Sequence, residues 1–551
     1  MEEGLYFLPL GGSGEIGMNL NLYQCDGKWL MIDCGISFSD DRAPGIDVIV
    51  PDPSWIAERK DDLLGLVITH AHEDHVGAVA HLWTQFECPV YASPFTAEIL
   101  YGKLREKGLE ELVELNTVSP GGNLTIGPFD LEFVDLTHSI PEMQALLIST
   151  KYGNVVHSGD WKLDARPVVG PESDLDRMAE ITEKGVLALV CDSTNVFKKG
   201  DSGSEGDVQD SLDELLSTIK TGKVAVTTFA SNIARVATIA RIAEKNGRHV
   251  VLVGRSLHRM TQVAKNSGYL TDLPSFIDEA EAGYLPPEKT LYLCTGSQGE
   301  PRGAMSRIAK DEHPHVTLSE GDTVIFSSKV IPGNERTLYT LHNRLTDNGV
   351  NVITEMDEFV HVSGHPARDE LSQMYDVVKP KISVPVHGEA RHLEEHCDFA
   401  LSKGVEKAIS VRNGDLVRLA PGNAEIIDTV PSGRLAVDAG GLSSLESEFL
   451  ADRRKFSFNG SASGMLIVDG AGRITEDPEV RLKGVVDVDN FPNLFKNLNE
   501  YIIAEHYALS KRERLDDDAV ETQATQAVRR FFRKLCGRRP LTDVYVIRIE
   551  E

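Results

Sequence analysis

Long apolar runs, paired cysteines and an excess of basic residues are all missing from this 551-residue chain. No apolar stretch approaches the ~18 residues needed to span a bilayer. The N-terminal MEEGLYFLPLGG has neither the basic segment nor the apolar core of a secretory signal, so export is not expected. The seven cysteines (25, 34, 88, 191, 294, 397 and 536) are scattered and form no CxxC pair. That pattern excludes zinc-finger and disulfide scaffolds and points to a reducing compartment. A cytoplasmic location is the expectation. Neither internal repeats nor low-complexity segments occur. Positive charge is scarce too: 56 basic against 85 acidic residues give a net charge of −29. This argues against indiscriminate nucleic-acid binding, but a local basic groove or bound divalent cations can reverse the field where it matters.

What is present fits a globular protein of roughly three or four structural units, with 41% hydrophobic and 26% charged residues. Residues 5–34 read as short alternating strands, with NLNLYQC and KWLMIDCG separated by the turn Asp26-Gly27. LLGLVITH reads as a buried strand ending at His70, and a polar loop leads from it into the helical pattern VGAVAHLWTQF. FDLEFVDLTH, GNVVHSGD, LALVCDSTN and KISVPVHGE are further strands with His or Asp at the carboxyl end. From about 205 to 356 strands and helices alternate, the signature of a parallel α/β sheet. Beyond about 450 two helical stretches, 490–508 and 517–536, precede the closing strand VYVIRIEE. One domain interrupted by another, followed by a small tail, is the expected layout.

The central signal is His70-Ala-His72-Glu-Asp74-His75. Imidazole and carboxylate suit borderline divalent metals. His70 and His72 lie two apart at a strand end and can point the same way, while Asp74 and His75 follow in a loop and can address a second position. Four donors in six residues crowd a single ion, so the run implies two metals. His138, Asp160 and His387 sit at three other strand ends and complete the set: His70, His72 and His138 for one ion, Asp74, His75 and His387 for the other, Asp160 between them. Each of the last three alone would pass for an ordinary structural residue. His81, His157 and His342 are read as structural.

These residues, with Asp33 in MIDCG, resemble a metallo-β-lactamase fold, and the large insertion before SGHP and VHGE resembles its nucleic-acid-cutting beta-CASP branch. GGSGEIGMN, HAHEDHVGA, VCDSTN, FASN, TGSQGEP, HVSGH and PVHGE occur in the order found in the bacterial ribonuclease J family, and RRFFRKLCGRRPL resembles that family's C-terminal domain. The resemblance implies an α/β architecture. A metallo-β-lactamase αββα sandwich (1–204 and 357–445) would be interrupted by a parallel beta-CASP domain (205–356), with a linker and C-terminal α/β domain at 446–551. It implies a ribonuclease with two divalent ions per subunit, zinc first and manganese or magnesium as alternatives. Such an enzyme would degrade RNA from 5′-monophosphate ends, with an endonucleolytic mode, in RNA decay and maturation. It also implies a homodimer or homotetramer with the tail taking part, and no membrane association.

Carried over by motif, Asp192 would orient the ligands or the water, and His365 would protonate the leaving oxygen or hold the scissile phosphate. Asp74 would act at the reacting centre as well as in the metal set. Phe229, Ala230, Ser231 and Asn232, with His361, Val362, Ser363, Gly364 and His365, would border the RNA and cradle its terminal phosphate. Ser231 and Asn232 could instead simply cap the next helix. Pro366 departs from the family's usual Ala and removes one amide donor. Asp33 would brace the ligand-bearing loops.

Gly12-x-Gly14-x-x-Gly17 followed by Asp33 imitates a dinucleotide-binding fingerprint, but that fingerprint must open a helix, whereas MNLNLYQCDGKWLMID turns like a hairpin, so NAD is not expected. Two other readings fit the superfamily resemblance. A small-molecule thioester or lactone hydrolase of the same superfamily would have no use for the insertion, and a non-catalytic RNA-binding subunit would not need every ligand.

Overall fold

In the computed structural model, residues 3–39, 43–439 and 441–549 are described. Two compact units form, residues 50–433 together with the first 37, and residues 38–49 together with 434 onward.

The first unit is built on two sheets stacked face to face. One runs in the order Glu425–Thr429, Asp415–Ala420, Leu5–Gly11, Leu20–Cys25, Lys28–Ile32, Leu63–Val67, Val90–Ala92, Leu115–Thr117. The other runs Asn123–Ile126, Phe129–Asp135, Gln144–Thr150, Gly153–His157, Ala188–Asp192, Ile382–Val386, Lys407–Ala408. Phe7, Leu30, Ile32 and Val67 from the first interdigitate with Phe133, Leu146, Val190 and Val384 from the second in one core. Helices Leu175–Thr182 and Arg368–Val378 cover the outer face of the second sheet through Met178, Ile181, Leu371 and Met374. This is the αββα sandwich.

Asp26 and Gly27 do turn the hairpin between Leu20–Cys25 and Lys28–Ile32, both at positive φ (51° and 82°), the pairing a tight type I′ turn requires. The strands around it do not alternate between core and solvent as their sequence suggested. All seven residues of Leu5–Gly11 and all six of Leu20–Cys25 are buried, polar Asn21 and Gln24 included. A sheet inside a layered fold is covered on both faces, so a polar residue at an alternate position need not meet water.

The segment from Val224 to Ile353 forms a five-stranded sheet in the order His249–Val253, Thr290–Cys294, Val224–Thr227, Thr323–Phe326, Asn351–Ile353, parallel throughout. Val224 and Val226 face one apolar cluster with Val236 and Leu257, while Ala225 faces another with Met305 and Leu338. Burial on both faces explains why these strands read as unbroken apolar runs.

The second unit contains the tail sheet Glu479–Lys483, Ser461–Asp469, Leu541–Ile549. Helices Leu494–Tyr507 and Asp517–Cys536 cover it through Leu498, Ile502, Val520, Ala524, Val528 and Phe532. The longer helix is capped by the Asp516 side chain at its start and ends at Gly537 with φ 76°. None of the helices among the described residues is long and apolar enough to cross a membrane.

Candidate active site

The donors converge at the carboxyl rim of the sandwich. Asp192 ends a strand whose register pairs it with Val386, and His387 follows directly, so both stand at the same rim. Strand Leu63–Val67 delivers His70 and His72. Asp74 and His75 lie in a short helical turn, Glu73–Val76, and not in the loop expected from sequence. The amides of His75 and Val76 donate to the His72 carbonyl, which closes that turn. Residues 34–36 clamp it from outside, Cys34 N donating to His75 O and Ile36 N to Glu73 O. Gly35 is indispensable there, since an added Cβ would fall 1.7 Å from the Asp74 carbonyl oxygen.

Two clusters result. The ring nitrogens of His70, His72 and His138 converge, with His72 Nδ1 lying 3.2 Å from His70 Nε2 and 3.0 Å from His138 Nε2. In the second, Asp160 Oδ2 lies 3.0 Å from His75 Nε2 and Asp160 Oδ1 3.0 Å from His387 Nδ1, while Asp74 Oδ2 is 3.6 Å from each histidine's Nε2. His138, Asp160 and His365 form a third overlapping group.

The tautomers follow from the outer partners. His138 Nδ1 donates to the Gly364 carbonyl at 2.5 Å, which leaves its Nε2 as a lone pair. His75 Nδ1 donates to Asp33 Oδ2 at 2.7 Å, which turns its Nε2 toward Asp160. The Thr69 hydroxyl donates to Asp33 and accepts from His70 Nδ1, so His70 Nε2 also offers a lone pair. Asp33 thus fixes two of the rings at once from a left-handed backbone, φ 63°, and His387 is held at φ 52°. Such conformations persist only where surrounding structure enforces them. Lone pairs converging with carboxylates, each set by an outer acceptor, suit divalent cations.

The electrostatics differ between the clusters. Burial, with the neighbouring histidines, pushes His70 and His72 well down, and burial holds His138 near 3, so this group stays neutral. Burial also opposes charge on His75 and His387, but Asp160 and Asp74 outweigh it and raise both. Asp160 itself is desolvated, yet His387 and His75 hold it well below the usual carboxylate range. His365 behaves in the same way. Burial opposes its charge, but Asp192, at 2.8 Å from Nδ1, and then Asp160 lift it to about 9.

The sequence reading passed over three residues that set this geometry. Asn19 stands in GGSGEIGMN, and its amide nitrogen lies 3.0 Å from His75 Nε2 and 3.1 Å from His387 Nδ1. Asn195 donates to Ser363 Oγ at 2.8 Å and to the His365 carbonyl at 3.0 Å. Glu370 accepts the amides of Leu163, Ser202 and Ala367 and the Ser202 hydroxyl. Asn19 and Asn195 stood in motifs without a metal-ligating residue type to mark them, and Glu370 lay beyond the HVSGH motif.

The 229–232 loop splits. Asn232 accepts the Arg235 amide and caps helix Ile233–Lys245, the role it could have had without any ligand. Phe229, Ala230 and Ser231 remain half-buried. Arg235, fully buried, pairs with Glu205 and donates to the carbonyls of Ser327 and Val360 at 3.0 and 2.9 Å, which ties this helix to the His361–His365 loop. Val362, within that loop, is buried. His361 Nδ1 is shut off from solvent without a hydrogen-bond partner among the described residues, and Arg235, Lys329, Lys162 and Lys198 surround the ring with positive charge.

Fold and site together define a metallo-hydrolase of the metallo-β-lactamase type carrying a beta-CASP insertion. Residues 19–217 match the metallo-beta-lactamase superfamily, and 221–345 the ribonuclease J beta-CASP domain. Residues 349–409 match a Zn-dependent metallo-hydrolase RNA specificity domain, and 448–549 the ribonuclease J C-terminal domain. The chain is 42% identical to "Ribonuclease J" of Sinorhizobium meliloti, over 100% of this chain and 98% of that one. It is 38% identical to its counterpart in Synechocystis (88% and 76%) and 36% identical to that in Mycolicibacterium smegmatis (99% and 98%). A solved Enterococcus faecalis protein of unknown function shares the fold at TM-score 0.53 and 17% identity, over 75% of this chain and all of that one. The chain belongs to the ribonuclease J family and is a metal-dependent hydrolase acting on RNA.

Proposed function

We propose that the chain is a cytoplasmic two-metal ribonuclease that degrades RNA from 5′-monophosphate ends, with internal cleavage as a second mode, in RNA decay and maturation. The observation that carries this reading is the pair of donor clusters, His70-His72-His138 and Asp74-His75-Asp160-His387, linked by the overlapping group of His138, Asp160 and His365. His70, His72 and His138 would hold one ion, Asp74, His75 and His387 the other, and Asp160 would bridge them. A donor set this rich in imidazole favours zinc, with manganese or magnesium as alternatives. Bound there, two divalent ions would supply a nucleophile at neutral pH and neutralise charge at the phosphorus centre.

The chain's own groups account for the rest. Asp192 keeps His365 protonated and aimed, so that His365 can give its proton to the leaving 3′ oxygen. Asp33 and Asn19 hold the rings that face the phosphate. The amides and hydroxyls of Ser231, Ser363 and Gly364, with His361 and its ring of cations, fit one terminal phosphate, as amide nests do. A triphosphate brings bulk and charge without matching partners. In-line attack leaves a 5′-phosphate on the downstream product, which is again the end the pocket accepts. The domains would run 1–204 with 357–445, 205–356, and 446–551, and the tail would help assemble a homodimer or homotetramer.

The test is one RNA labelled distinguishably at both ends and offered with a 5′-monophosphate, triphosphate or hydroxyl. The reading predicts mononucleotides released from the 5′ side, fastest from the monophosphate. Equal rates for monophosphate and triphosphate, or internal fragments alone from all three, would overturn the 5′-end preference.

A further inference from the structure

The TGSQGEP segment at 295–301 takes no part in the centre described above, yet it is built with care. It leaves strand Thr290–Cys294 at the carboxyl rim of the parallel sheet, the rim that also carries the 229–232 loop and Ser327-Ser328-Lys329. Ligands of open α/β sheets bind beyond that rim. Two of its glycines, and one just after it, bring helices Ala304–Ala309 and Glu335–Asp347 in close. A Cβ on Gly303 would fall 2.7 Å from Gly296 Cα, and one on Gly299, at φ 76°, would fall 3.1 Å from Thr337 Cγ2. Gln298 spans the gap, donating to the Lys329 carbonyl at 2.8 Å and accepting the Ile331 amide at 2.9 Å.

Between these elements lies an open groove of about 370 Å³, lined by Lys310, Arg336 and Arg344 with Ser306, Thr337 and Thr340. Arg336, Thr340 and Arg344 recur at helical spacing on one face. The three cations are exposed and have no carboxylate partner among the described residues. Two nearby acids are turned away, since Glu300 accepts the Gln298 amide and Glu335 the Gly333 amide. In a chain of net charge −29, a groove lined by three exposed cations is a local site of attraction for an anion. The lining includes no aromatic ring on which a base could stack. Guanidinium forks and hydroxyls are phosphate-binding chemistry, and they read a backbone without reading sequence. Lys329 is among the cations around His361, and its carbonyl accepts from Gln298, which ties the groove's loop to that region.

We propose that this groove binds phosphodiester groups of the RNA away from the cut, through Lys310, Arg336 and Arg344. The inference rests on the ribonuclease reading and adds a second anchoring point for long substrates.

The test uses the full-length metal-loaded enzyme and 5′-monophosphate RNAs of about four and about twenty nucleotides, lengths that bracket a single binding site. In the R336Q/R344Q variant, kcat/KM for the long RNA should fall roughly tenfold at moderate salt. Its salt slope should flatten by about 1.4, two single-strand phosphate contacts at about 0.7 each. The short RNA should be cut within about twofold of wild type, which also reports an intact fold. R336K/R344K should restore the slope, because the charge is kept. An unchanged slope and KM on the long RNA would overturn the proposal. So would a lower mass in light scattering with unchanged kinetics, which would make the groove an interface between copies. A wild-type chain that cut neither RNA would overturn the ribonuclease reading itself, a result separate from the variant comparison.

Discussion

His138 and Gly364 meet at 2.5 Å, the imidazole donating from Nδ1 to the glycine carbonyl. That bond joins the three-histidine cluster to the loop that carries His365, 226 residues further along the chain. A Cβ on Gly364 would fall 2.7 Å from His138 Cε1 and 2.9 Å from its Nδ1. G364A should therefore turn the His138 ring and weaken cation binding by roughly ten- to a hundredfold, the usual cost of losing an outer partner of a metal-binding histidine. Zinc affinity measured by competition with a chromogenic chelator checks this, and wild-type affinity would contradict it.

The His365–Asp192 pair makes a separate forecast. Asp192→Asn removes the charge that raises His365 and leaves both donor clusters in place. Turnover should fall on the order of 10²–10⁴-fold, the range typical of losing a general acid, with two ions still bound per chain by elemental analysis. Loss of metal in parallel with activity would instead make Asp192 a part of the metal-holding framework.

His72→Ala and Asp160→Ala should abolish RNA cleavage while leaving the fold intact, because both side chains stand at the sheet rim and outside the apolar clusters. Circular dichroism should match wild type. Near-normal turnover by either variant, purified free of wild-type enzyme, would refute the assignment.

The tail gives a fourth. Val520, Ala524, Ala527, Val528 and Phe532 are spent on the unit's own core, whereas Tyr545, Ile547 and Ile549 lie exposed along the closing strand. A copy of the chain docking there would cover them. Truncation near 450 should lower the mass seen by light scattering, and an unchanged mass for soluble truncated protein would contradict it.

The candidate ligand set was legible because metal chemistry restricts residue type. Histidines and aspartates at strand ends stand out against any apolar background, and His70, His72, Asp74, His75, His138, Asp160 and His387 are brought together. Helix 517–536 was legible to the residue from its apolar spacing. The burial of Asn21 and Gln24 was not, since period-two patterning says nothing about a second covering layer. Nor was the turn at Glu73–Val76, whose four residues are too few to show a helical period and which is imposed by Cys34, Gly35 and Ile36 from elsewhere in the chain. Asn19, Asn195 and Glu370 act through hydrogen bonds to partners 55 or more positions away or to a loop's own amides, and sequence carries no mark of such distant pairing.

The central claim, cleavage by two cations that share Asp160, is tested most directly by titrating metal-stripped protein with zinc or manganese. Bound metal per chain and hydrolysis of 5′-monophosphate RNA are followed together. Activity should stay near the background of the stripped protein through the first equivalent and rise as the second binds. Full turnover with one ion per chain, or in chelator with none, would contradict the account.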